Sequence, residues 1–389
     1  MRRITGSLTP VRAQQDGTTG ARVLKPLTAG DPTTVGPFRL AGRLGQGSMG
    51  IVYLGYRSTR PVAVKVIRPH IAEEDYFRQR FSQELEAIRR VGGFHTAALV
   101  DADPKAEQPW IATQYIHAPS LLELIQQHGP VSELGGWWLA AGLADALMHV
   151  HSVRLLHRDL KPGNVLVATD GVRVIDFGIS HVGGSTGLTT SSAALGTLAY
   201  MAPEQAADSR RASEAADVYS LGATLVHAVT GHVAFYAQMP AQRTLDSPPD
   251  LTGLPAALAD LVAHTLAFDA EDRPTAQSVL EEAMGRLLDF GVPADGQAYP
   301  PLPEAFLSEV RDHEATPVEA TAALPAPEPE PATPAAAVPQ RTEPLPAVAP
   351  PRPATRAVEP SAVRAEPEPA LWATQWRNRM KGRRSEYGG

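Results

Sequence analysis

Eight consecutive residues, His157-Arg158-Asp159-Leu160-Lys161-Pro162-Gly163-Asn164, place an acid, a base and an amide close together. Asp176 follows twelve positions after Asn164 and opens Asp176-Phe177-Gly178. A carboxylate and an amide oxygen are hard ligands suited to Mg²⁺, and a second carboxylate can orient a hydroxyl and take its proton. The set therefore suits chemistry that needs a divalent cation beside a phosphate. A lone His-Arg-Asp would equally fit a charged turn, because Val153, Leu155 and Leu156 on one side and Val165–Val167 on the other flank it. Lys161, Asn164 and Asp176 make the combination far more specific.

Taken together these residues resemble the signature of the eukaryotic-type serine/threonine protein kinases that bacteria also carry. The resemblance covers about Phe38 to Leu288. It implies an α+β, two-lobed protein kinase fold, with a small antiparallel sheet over a mostly helical lobe and ATP between them. By the resemblance Asp159 accepts the hydroxyl proton and Lys161 neutralises charge on the moving phosphoryl group. Asn164 and Asp176 hold Mg²⁺, with Mn²⁺ as an alternative ion. Lys65 contacts the α- and β-phosphates, and Glu84 holds Lys65. Lys161 and the Gly196-Thr197 pair point to the serine/threonine branch.

Other elements must position this chemistry. Leu44 leads into Gly45-Gln46-Gly47-Ser48-Met49-Gly50, followed by Ile51, Val52 and Tyr53. A dinucleotide-binding turn would open a helix here, whereas β-branched and aromatic residues read as strand, turn, strand. That favours a lid whose bare backbone approaches phosphate oxygens. Lys65 lies inside the apolar run Val62-Ala63-Val64-Lys65-Val66-Ile67 and could equally snorkel from an edge strand. Phe77, Phe81, Leu85 and Ile88 form a helical stripe that carries Glu84, with Glu86 as the alternative acid. The resemblance makes Thr113 the gatekeeper and Gln114, Tyr115 and Ile116 the hinge whose backbone meets adenine. Ala63, Val52 and Leu166 would enclose the adenine ring. Ser120 and Glu123 spell a capping box.

Between Asp176 and Ala202-Pro203-Glu204 lies a hydroxyl-rich stretch that reads as a surface loop or, by resemblance, an activation loop. Thr189 to Ser192 are its phosphosite candidates, and Arg158 could pair with such a phosphate. Asp217 either caps a helix or ties down the catalytic loop. Arg273 of Asp272-Arg273-Pro274 is expected to pair with Glu204. Between Phe235 and Leu251 the chain is short and irregular relative to the family, in a region that often docks substrates.

The chain has 389 residues, a net charge of -7 and no cysteine, which argues against nucleic acid as main partner and against disulfides or thiolate metal sites. No run approaches the ~18 apolar residues of a membrane span, and no signal peptide is evident, so a cytoplasmic protein is expected. Residues 1–37 read as a flexible leader, 38–290 as the kinase domain, 291–370 as a Pro/Ala/Glu-rich disordered linker and 371–389 as a basic aromatic tail. Phe306, Leu307 and Val310 mark one helical island, Glu304 to His313, within the linker. The expected partners are protein substrates, ATP and a second copy for autophosphorylation. The tail is a candidate docking element for a protein or membrane surface. Rival readings are a pseudokinase scaffold and a small-molecule phosphotransferase, but Lys65, Asp159 and Asp176 are all present, as are Ala-Pro-Glu and the hydroxyl-rich loop.

Overall fold

The strand Arg60–Ile67 alternates as its sequence demands. Val62, Val64 and Val66 are buried, and the period of two turns Ala63 and Lys65 to the opposite face. A computed structural model describes residues 24–47, 49–73, 75–176, 197–235, 240, 243, 248–293 and 300–316 of the protein. All of these belong to one unit, Met1–Ala322.

The strands are β1 (Thr34–Val35), β2 (Phe38–Gln46), β3 (Gly50–Arg57), β4 (Arg60–Ile67), β5 (Leu99–Asp103) and β6 (Trp110–Gln114). They form an antiparallel sheet in the order β1-β2-β3-β4-β6-β5. A two-residue connection, Ser58-Thr59, joins β3 to β4, and Ser58 takes the positive φ (56°) that such hairpins favour. After the short α1 (Pro69–Ala72), α2 (Asp75–Ile88) packs its stripe of Phe77, Phe81, Leu85 and Ile88 with Ile67 and Ile111. Phe77 and Phe81 stack at 5.4 Å.

The second lobe is mostly helical. Its described helices are α3 (Leu121–His128), α4 (Glu133–Ser152), α5 (Pro203–Ala207), α6 (Glu214–Thr230), α7 (Ala259–Thr265), α8 (Ala276–Asp289) and α9 (Glu304–Ala315). The expected capping box opens α3, with Glu123 N–H donating to Ser120 Oγ and Ser120 N–H to Glu123 Oε2. α4 and α6 are apolar nearly all round and lie in the core, where α4 meets α8. Gly222 of α6 permits their neighbour to close in, since a Cβ there would come 2.2 Å from Thr265 Oγ1. A hairpin of β7 (Val165–Ala168) and β8 (Gly171–Val174) follows the catalytic loop.

Two segments depart from the domain boundaries expected of the sequence. Residues 24–37 belong to the folded sheet rather than to a flexible leader. Asp31 is the reason: its carboxylate accepts hydrogen bonds from Arg43 (2.7 Å to each oxygen), Tyr53 OH (2.6 Å) and Thr28 N–H (2.7 Å). Its side chain is 1% exposed, and the Arg43 guanidinium holds its carboxyl well below the usual range. A short strand and one acid leave no periodicity to read. Residues 300–316 are likewise part of the fold. Phe306 and Val310 of α9 are fully buried against the helical lobe, and Glu314 accepts hydrogen bonds from Thr169 N–H and Oγ1. The remaining linker from 317 and the tail 371–389 lie outside the described residues.

Candidate active site

Strand register builds one wall of the site. Gly45 lies opposite Val52, Val52 opposite Lys65 and Lys65 opposite Ile111, while Ala63 lies between Leu54 and Thr113. Directly opposed residues share a face, so the lid, Val52, Ala63, Lys65 and Thr113 converge on one side of the sheet. Gln46 pairs with Ile51, and Gly47 N–H donates to Gly50 O at 2.9 Å. A Cβ on Gly50 would come 2.2 Å from Val66 O, whereas Cβ atoms on Gly45 or Gly47 would meet nothing within 4 Å. Gly50 is thus required by packing, and the other two leave open space above the cleft. Arg68 steadies the turn, its N–H donating to Met49 O and its guanidinium to Gly47 O. Ser48 lies outside the described residues.

The hinge meets the second lobe at Leu166, which packs with Ala118, Ile116 and Ile175. Gln114 N–H is engaged by Ala98 O at 2.8 Å. Tyr115 stands 5.8 Å from the ring of His117, which in turn contacts His313 of α9.

The catalytic loop is held from below. Asp217, 1% exposed, accepts His157 N–H and His151 Nε2 on one oxygen and Arg158 N–H on the other, each at 2.8 Å. Burial pushes its carboxyl up, but the hydrogen bond from His151 and those from the loop outweigh it, and the net effect is downward. Asp217 therefore ties down the catalytic loop and does not cap α6, whose N-cap position is Ser213. The wholly buried His157 ring donates from Nε2 to Ile175 O and accepts Asp159 N–H on Nδ1. Burial lowers its basicity, in keeping with a neutral ring. Arg158 (φ 64°) and Asp176 (φ 62°) both occupy the left-handed region, a strain of about 1–3 kcal/mol each that is tolerated where function over-determines the backbone.

Above that base the sequence-predicted residues meet. Lys161 Nζ lies 3.0 Å from both Asp159 oxygens and 2.7 Å from Thr197 Oγ1. Asn164 Nδ2 donates to Asp159 O (2.7 Å) and Oδ2 (3.0 Å), which turns its amide oxygen into the free hard ligand. Lys65 Nζ is 3.2 Å from Asp176 Oδ2.

One expected pairing is not formed. Glu84 does not hold Lys65; it lies 3.5 Å from the Arg158 guanidinium, and the Lys65 ion pair is with Asp176. α2 turns Glu84 toward the catalytic loop, where the left-handed backbone of Arg158 presents its guanidinium. Arg158, the residue expected to pair with a loop phosphate, is here paired with Glu84. Glu84 is 16% exposed, and its Oε2 is buried without a hydrogen-bond partner. Burial raises its carboxyl to about 7, against smaller opposing effects of Arg158 and Arg80. Glu86, the alternative acid, is exposed and lies 4.0 Å from Arg89.

The Arg273–Glu204 pair forms as expected, at 2.7 and 3.0 Å, and the remaining Arg273 donors reach the carbonyls of Ala215, Ala267 and Phe268. Sequence reasoning missed Gln205, which donates to Arg158 O, and Arg243, buried beneath residues 198–201. Neither belongs to a motif or a periodic stripe, so no sequence signal marked them. Phe177, Gly178, the proposed phosphosites Thr189–Ser192 and Gly196 lie outside the described residues.

A family model described as protein kinase domain matches residues 38–284. The serine/threonine-protein kinase AfsK of Streptomyces coelicolor is 48% identical over 282 residues, covering 72% of this chain and 35% of that protein. AfsK of Streptomyces griseus is 50% identical over 252 residues, covering 64% and 31%. The probable serine/threonine-protein kinase PkwA of Thermomonospora curvata is 46% identical over 265 residues, covering 67% and 35%. The chain thus spans about a third of the length of these curated relatives. Among solved structures, the kinase domain of Mycobacterium tuberculosis PknI superposes with a TM-score of 0.53 at 28% identity, covering 67% of this chain and 99% of that one.

Proposed function

The chain belongs to the protein kinase domain family, and on that premise we propose that it transfers the γ-phosphoryl group of ATP to serine or threonine hydroxyls of proteins. The observation that carries this reading is the convergence of five groups from three separate parts of the chain. Lys65 meets Asp176 at 3.2 Å, and Asp159, Lys161 and Asn164 interlock at about the same range.

Asp159 accepts the proton of the substrate hydroxyl and aims its oxygen. Lys161, already 3.0 Å from that carboxylate, neutralises charge on the phosphoryl in flight, and Thr197 fixes the lysine. Lys65 turns from Asp176 to the α- and β-phosphates, and Glu84 leaves Arg158 to support it. Val52, Ala63 and Leu166 enclose adenine, with the backbone of Gln114, Tyr115 and Ile116 at its edge. Leu44 through Ile51 cover the phosphates. Asp176 and the Asn164 oxygen suit Mg²⁺, which takes few protein ligands and completes its shell with water and phosphate oxygens. Bound there, the ion would screen phosphate charge. Mn²⁺ has the same ligand preferences. Phosphorylation of residues among Thr189–Ser192 by a second copy would draw Arg158 from Glu84. Among the described residues no helix is long and apolar enough to cross a membrane, which supports the cytoplasmic assignment.

Purified protein, labelled ATP, Mg²⁺ and a generic basic protein substrate test the reading. Label should enter protein, and Asp159→Asn should retain ATP binding while losing about 10²–10⁴-fold in transfer rate. Near-normal turnover by that variant would remove Asp159 from its role. Label confined to a small-molecule acceptor would overturn protein phosphorylation.

A further inference from the structure

Residues 198–201 follow directly on Thr197, whose hydroxyl binds Lys161 beside Asp159. A peptide with its hydroxyl at Asp159 must therefore run against this loop. Among the described residues the loop's own backbone bonds are long: Tyr200 N–H to Thr197 O and Met201 N–H to Leu198 O are both 3.3 Å. Its carbonyls are instead held from beneath by side chains. Ser220 Oγ donates to Tyr200 O at 3.0 Å. Arg243 takes the other three, with Nη1 donating to Met201 O (2.9 Å) and Nη2 to Leu198 O (3.0 Å) and Ala199 O (3.4 Å).

Arg243 is an expensive choice for this task. It is 4% exposed, its Nε has no hydrogen-bond partner, and it makes no ion pair with a carboxylate among the described residues. Among the described residues its cation is balanced by carbonyl dipoles, the Tyr219 hydroxyl at 3.0 Å and the face of Phe235 at 4.2 Å. A buried cation without an acid is unfavourable unless its hydrogen bonds are needed. Several carbonyls at fixed spacing also require a planar fork that lysine cannot supply. Arg273, by contrast, holds the far end of the same segment through Glu204.

We propose that Arg243 is a positioning residue for the peptide substrate: it clamps the carbonyls of Leu198, Ala199 and Met201 and so sets the surface on which the chain beside the accepted hydroxyl rests. The assignment rests on the protein kinase reading, and it deepens that reading by naming what shapes the peptide-docking loop. Arg243 touches neither nucleotide nor reacting atoms, so its loss acts through the loop, on peptide binding first and on Lys161 only by way of Thr197.

Arg243→Lys and Arg243→Met, made in the full chain, provide the test. Peptide KM should rise roughly tenfold or more in both variants, as expected when a positioning contact is lost, while ATP affinity changes less than about twofold. Hydrogen exchange should quicken at residues 197–202 and stay unchanged in α4 and α6. This second readout does not depend on catalysis, so a wild-type protein that transfers no phosphoryl group would refute the kinase reading while exchange still decides the clamp. Unchanged exchange at 197–202 would overturn the proposal. So would faster exchange spread through α4 and α6, or equal losses in ATP and peptide binding, because Arg243 would then support the lobe rather than the loop.

Discussion

Replacing Glu84 with glutamine should remove a contribution to stability that falls between about pH 4.5 and 7. Glu84 is largely buried, one of its oxygens lacks a partner, and its carboxyl is raised from 4.5 to about 7, chiefly by burial. Over that interval the folded protein binds the proton that the unfolded chain has released. Stability therefore falls as pH rises from the unfolded value and levels off above the folded one. At about 1.4 kcal/mol per pH unit, the loss from pH 4.5 to 7 comes to roughly 3 kcal/mol. His157 and His95, whose basicity burial lowers, drive the opposite trend as they approach their ordinary 6.5. The wild-type curve alone is thus a sum of opposed effects. Urea unfolding of wild type and Glu84→Gln at half-unit steps from pH 4.5 to 8 isolates Glu84, because the histidines cancel in the difference. The variant should gain on wild type steadily up to pH 7 and hold its advantage beyond. A difference independent of pH would show that Glu84 ionises as an ordinary surface acid, and the tension assigned to it would be wrong. The same substitution should lower transfer, since glutamine cannot carry the charge that Lys65 needs.

Arg273→Met strands Glu204 beside a hole in the lower lobe and should cost about 3–5 kcal/mol in denaturant unfolding; a loss under 1 kcal/mol would mean that solvent already screens the pair. Phe306→Ala, at a fully buried position of α9, should cost about 3–5 kcal/mol. Unchanged unfolding in that variant would detach residues 300–316 from the folded unit.

Much of the site was legible because its chemistry is local. His157 through Asn164 lie within eight positions, and Asp159, Lys161 and Asn164 interlock much as that spacing suggests. The α2 stripe, the capping box at Ser120 and the all-apolar α6 were equally plain, since backbone periodicity and capping are written in neighbouring residues. The Arg273–Glu204 pair was legible only through resemblance.

Other features left no trace in the linear order. Asp31 anchors residues 24–37 through one buried carboxylate, Arg243 lies in an irregular stretch, and Glu84 chooses Arg158 over Lys65. Each is decided by which charged groups share a low-dielectric space, and there a distance of a few ångströms outweighs any local preference. Most of the elements and the roster of reactive groups are written in neighbouring residues. Which acid faces which base is settled in three dimensions, because desolvation and Coulomb attraction act through space and not along the chain.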